Sequence, residues 1–110
     1  MAYILYMKII ETPVFTKEII KLLPDDHYRV LQQELIFRPE AGSIIKKSGG
    51  LRKIRWSEPG KGKRGSIRII YYFHPPETIF MLFPYRKNIQ ENLTPTQLKI
   101  LRNLVKEWLL

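Results

Sequence analysis

Between Leu51 and Arg86 the chain reads three times over as a β-strand. The runs are "LRKIRW", "SIRIIYYF" and "TIFMLFPY". Each is rich in β-branched and aromatic residues, and each is bounded by turn formers. Gly49-Gly50 precedes the first run. A Pro- and Gly-containing stretch separates it from the second, and His74-Pro75-Pro76-Glu77 forms a turn before the third. Successive strands joined this way pair as an antiparallel meander. Pro84 is expected to bend or end the last of them. In "LRKIRW", Ile54 and Trp56 point one way and Lys53 and Arg55 the other. In "SIRIIYYF", Arg68 opposes Ile67 and Ile69 and shares a face with Tyr72, not Tyr71.

What flanks the meander is helical apart from one strand. Tyr3 to Ile10 reads as a first strand. Thr12-Pro13 is a helix cap followed by proline at the first helical position, and Phe15, Ile19, Leu22 and Leu23 share one helical face. Pro24-Asp25-Asp26 ends this helix and offers a cap for a second, on which Tyr28, Leu31 and Leu35 repeat until about Arg38. Thr94-Pro95-Thr96-Gln97 is a capping box, followed by an apolar stripe of Leu98, Leu101, Val105 and Trp108. The expected class is α+β: an N-terminal strand and helical hairpin, a mostly antiparallel sheet and a C-terminal helix. All helices are expected on one face of the sheet, leaving the other for polar function. A length of 110 residues suits one domain, 1–110, with one modest core. With no cysteine, a disulfide scaffold and cysteine-type zinc sites are excluded. No signal-peptide pattern opens the chain, and no run approaches the ~20 apolar residues of a membrane span. The expectation is a cytoplasmic protein without a membrane partner.

Charge narrows the function. The chain carries +9, and the window from Lys46 to Arg68 holds nine cations against one acid, Glu58. So concentrated a patch implies an anionic partner, most often nucleic acid. Gly60-Lys61-Gly62-Lys63-Arg64-Gly65 spells GxGxxG, but a dinucleotide fingerprint needs a helix after it, and here a strand follows. No Gly-Lys-Ser/Thr triplet closes a P-loop either. A flexible loop bearing Lys61, Lys63 and Arg64 suits a phosphate backbone, and Arg52 belongs to the same patch. Lys53, Arg55 and Arg68 carry more information, because adjacent strands aim them at one sheet face. Among the aromatics, Tyr72 and Tyr85 are the candidates to stack on RNA bases, while Tyr71 and Trp56 suit the core. His74 and His27 read as ordinary surface and helix histidines. No nucleophilic triad and no metal cluster are present, and no cofactor is implied. One reaction suits an inventory of cations and polar groups: cleavage of RNA by its own 2′-hydroxyl, which needs alignment and charge stabilisation but no protein nucleophile.

The stretch "GGLRKIRWSEPGKGKRGSIRIIYYF", followed by "TIFMLFPYRKN", resembles the RelE superfamily of bacterial toxins, and most closely its HigB-like branch. The resemblance spans nearly the whole chain and is most specific from Gly49 to Asn88. It implies a RelE-like microbial RNase fold and a type II toxin: a ribosome-dependent endoribonuclease that cuts mRNA in the decoding site of the small subunit. It also implies a cognate HigA-like, helix-turn-helix antitoxin that holds the toxin inactive and carries operator DNA binding. The family's second-strand cations match Lys53 and Arg55, and its phosphate-contacting arginine matches Arg68. The cation after the fourth strand matches Lys87, with Arg86 beside it. Some members use a C-terminal tyrosine as general base. Asn88 to Thr96 contains none, which leaves Tyr85, Glu91, a deprotonated lysine or the ribosome for that role. The alternatives to a toxin enzyme are a non-catalytic RNA- or DNA-binding module and a degenerate toxin acting only in regulation with its antitoxin.

Overall fold

The computed structural model describes residues 6–57 and 66–109. The elements are β1 (Lys8–Glu11), α1 (Pro13–Leu22), α2 (Asp25–Phe37), β2 (Ser43–Ile44), β3 (Arg52–Ser57), β4 (Ser66–His74), β5 (Thr78–Arg86) and α3 (Pro95–Trp108). They form one five-stranded sheet in the order β1-β5-β4-β3-β2. The expected meander is β3-β4-β5, antiparallel throughout. β1 joins parallel to β5, with Ile9 opposite Ile79 and Glu11 opposite Met81. The described part of the first strand starts at Lys8, and the Tyr3 end of that expectation lies outside the described residues. The two-residue β2, which the sequence reading passed over, pairs with β3 at the sheet edge.

Both proline-led helices start where their caps place them. Thr12 Oγ1 accepts from the Phe15 N–H at 2.9 Å, and Thr94 and Gln97 form the reciprocal capping box of α3. α2 departs from expectation: Pro24 holds the cap position with no side-chain bond, and Asp25 and Asp26 lie inside the first turn. There their charge favours the positive end of the helix dipole instead of satisfying an N–H. β5 departs too, since it passes through Pro84 and runs to Arg86. Its irregularity lies earlier: Ile70 faces Phe83 while Tyr71 faces Met81, so Leu82 is an unopposed bulge residue. The Leu82 carbonyl accepts from Thr12 Oγ1 at 2.8 Å, tying the start of α1 to the bulge.

The expectation that all helices lie on one face is corrected by the packing. Phe15, Ile19, Leu31 and Leu35 of α1 and α2 bury against Ile67, Ile69, Tyr71, Ile79 and Met81 on one side. On the other side Leu101 and Val105 of α3 bury against Ile70, Phe80, Leu82 and Tyr85. α3 carries a strong apolar stripe, and the hairpin already fills the first face, so only the second could receive it. With Leu93 just ahead of it, α3 covers that face as far as Trp108, whose ring lies 4.6 Å from that of Phe80. The polar site therefore occupies one end of a sheet face and not the whole of it.

Candidate active site

Strand alternation and the bulge together build the site. On β3, Ile54 and Trp56 pack toward the hairpin, which leaves Lys53 and Arg55 on the α3 side. On β4, Arg68 projects to the same side, directly across from Arg55. On β5, Phe80 packs on the α3 side, so plain alternation would send Tyr85 to the hairpin face. The extra residue at Leu82 reverses this and seats Tyr85 opposite Arg68, within the α3-side core.

The result is a pocket of about 190 Å³ lined by Ser43, Lys53, Arg55, Arg68, Lys87, Glu91 and Asn92. Four cations from three segments of chain thus share one hollow. Arg68 is only 4% exposed, and its Nη1 donates to Ser66 Oγ at 2.9 Å. Lys53 Nζ donates to Asn92 Oδ1 at 3.0 Å. Among the described residues the ion pairs are Lys8–Glu77, Lys21–Glu18 and Arg38–Glu34, none of which touches the pocket. Glu91 is the one carboxylate in the lining. Like charges directly opposite each other on paired strands destabilise a sheet, and a buried charge without a counter-ion costs several kcal/mol. Arg55 and Arg68 share the first cost, buried Arg68 alone incurs the second, and an anion in the pocket offsets both.

Tyr85 lies beneath this pocket, 7% exposed, and donates a long hydrogen bond of 3.4 Å to the Glu91 carbonyl. Burial pushes its phenol above the usual tyrosine range, and the nearby Arg68 charge only partly opposes this. The hydroxyl therefore stays protonated near neutral pH and acts as a donor.

The other candidates stand elsewhere. Arg52 sits on the hairpin side of β3 and donates to the Gly42 carbonyl at 2.7 Å and the Glu40 carbonyl at 3.3 Å, fastening the segment before β2. Arg86 pairs with Ile67 and shares its face, away from Lys87. Tyr72 is four residues along β4, roughly 13 Å away, half-buried beside Phe80 and His74. Lys61, Lys63 and Arg64 lie outside the described residues. Ser43, Ser66 and Asn92 escaped the sequence reading. Ser66 had a signal, because it sits two residues before Arg68 on the same strand face. Ser43 and Asn92 arrive by tertiary packing and had none. Among the described residues no group of three or more His, Cys, Asp or Glu could hold a metal ion, and no helix is long and apolar enough to cross a membrane.

The family described as the RelE toxin of the RelE/RelB toxin-antitoxin system matches residues 7–110, and this chain belongs to it. Its fold is similar to that of a doubly substituted E. coli toxin RelE in the free state. The TM-score is 0.56 at 16% identity, over 79% of this chain and 90% of that one.

Proposed function

We propose that this chain is a HigB-like, ribosome-dependent endoribonuclease that cuts mRNA in the decoding site of the small subunit. The carrying observation is the convergence of Lys53, Arg55, Arg68 and Lys87 on one pocket with a single carboxylate, Glu91, and with no salt bridge to any of the four cations among the described residues. In the proposed reaction the RNA 2′-oxygen attacks the adjacent phosphorus and the 5′-oxygen leaves. The products are a 2′,3′-cyclic phosphate and a 5′-hydroxyl end. Arg55 and Arg68 hold the non-bridging oxygens as negative charge grows on them. Ser66 fixes the Arg68 guanidinium and Asn92 fixes Lys53, so little reorganisation remains at the moment of reaction. Glu91 receives the proton of the 2′-hydroxyl, since Tyr85 is held protonated by its burial. Lys87, exposed at the rim, donates to the departing 5′-oxygen. The partners on this reading are mRNA, the small subunit and a HigA-like antitoxin, through which alone operator DNA is bound.

The test is to map mRNA 5′ ends in a reconstituted translation mixture. Wild type should generate new ends bearing a 5′-hydroxyl, and Arg68→Ala should lower their rate of appearance by roughly 10²–10³-fold. No new ends with wild type, or equal cutting by both proteins, would overturn the proposal.

A further inference from the structure

The mechanism leaves unused a second concavity, of about 420 Å³, on the outer side of α3. Lys46 and Lys47 line one wall of it, and Lys99, Arg102 and Lys106 line the other. No carboxylate lines it, and all five cations are exposed. None takes part in an ion pair among the described residues. Lys99, Arg102 and Lys106 follow the spacing i, i+3, i+7, so they form a single row along the helix, about 10.5 Å long.

The facing wall is held at a conformational cost. Lys47 adopts φ 60°, a region that residues with side chains rarely enter, and Gly49 adopts φ 76°. A Cβ at Gly49 would lie 2.8 Å from Arg102 Nε, a contact from which the exposed arginine can yield, so it is the positive φ of Gly49 that favours glycine where this segment lies against α3. The arrangement brings Lys46 and Lys47 to the same hollow as the α3 row.

The two cationic hollows are neighbours. A smaller one, of about 140 Å³, shares Lys53 and Asn92 with the active-site pocket and Leu93 and Leu98 with the α3 basin.

We propose that the α3 basin is a second phosphate-backbone site, which holds the single RNA strand leading away from the nucleotide in the pocket. The inference rests on reading that pocket as an RNA site. The row on α3 offers three cations to the phosphates of one strand. The basin's task is to hold the strand and keep it in register, and the chemistry stays in the pocket.

The experiment measures affinity of the purified chain for a single-stranded RNA of about 16 nucleotides, and for its duplex, as salt is varied between about 50 and 200 mM. The triple variant Lys99→Gln/Arg102→Gln/Lys106→Gln should make the single-strand slope of log K against log salt shallower by about 2. Arg68→Ala should change it by about 0.7, the value of one contact. All three residues are exposed, and an unchanged melting temperature checks folding. If the triple variant melts early, Lys106→Gln alone should still remove about 0.7. The inference is overturned by an unchanged slope, by a loss confined to the duplex, or by loss of poly-glutamate binding with RNA binding intact. The 5′-end mapping is read separately. A shallower slope without wild-type cutting keeps the basin and removes the catalytic reading, and cutting with an unmoved slope does the reverse.

Discussion

Arg68 is buried and charged, with a serine hydroxyl as its hydrogen-bond partner and another arginine directly across the sheet. Such a placement serves an incoming anion at the expense of the empty protein. Arg55→Gln should therefore raise stability to chemical denaturation by about 0.2–1 kcal/mol, by relieving the cross-strand repulsion, while slowing cleavage. Equilibrium unfolding set beside the cleavage rate checks both halves. Glu91→Gln should slow cleavage by roughly 10²–10⁴-fold, the usual range for general-base loss. It should leave RNA affinity unchanged or higher, because a negative charge has gone. Single-turnover kinetics with a separate binding titration checks this. At this scale the sequence was informative where alternation applied. Lys53, Arg55 and Arg68 could be placed on one face because β3 and β4 hold a regular period of two from Arg52 to Ser57 and from Ser66 to His74. Arg52 misled, because residence in a basic patch says nothing about which side of a strand a residue takes. Asn92 could not be found, because only the fold brings it to Lys53.

Among the elements, the starts of α1 and α3 were legible to the residue. Their caps are local chemistry: a threonine hydroxyl meets an N–H three residues on, and proline follows where no donor is needed. β2 and the parallel docking of β1 depend on distant partners and leave little local trace. The turn from α2 into β2 is set by one tyrosine. The Tyr71 hydroxyl donates to the Pro39 carbonyl and accepts from the Gly42 N–H, each at 2.8 Å. A Cβ at Gly42 would meet the Tyr71 ring at 2.7 Å, and that ring is fully buried. Gly42→Ala should cost about 1–3 kcal/mol in chemical denaturation, the usual range for overpacking a closed core. It should also weaken cleavage indirectly, since Ser43 is the next residue along.

At the level of the whole molecule, the sequence conveyed the α+β class and the order of all elements but β2, and misplaced α3. An amphipathic stripe shows that a helix needs a partner, without saying which side of the sheet is vacant. The two cores carry three tyrosines that respond alike to alkali. Burial, reinforced by the bond to Glu11, pushes the Tyr28 hydroxyl up; burial does the same for Tyr71 and Tyr85. Each therefore holds its proton more tightly folded than unfolded. The associated stability is fully present below the ordinary tyrosine value of about 10 and is lost as pH rises beyond it. Denaturation curves should be flat from neutral pH to about 9 on this account and then fall steeply. Tyr71→Phe should blunt the fall while lowering the neutral plateau by about 1–3 kcal/mol, since it leaves the Pro39 carbonyl and Gly42 N–H without their partner.

The unopposed Leu82 has a further implication. Shortening β5 by that single position would turn the remainder of the strand over, so that Tyr85 and its neighbours exchange sides while every polar group of the candidate site keeps its identity. An indel of one residue here would dismantle the wall behind Arg68 without altering a charged side chain. A gapless alignment across residues 80–86 of a relative lacking the bulge would pair residues that face opposite ways.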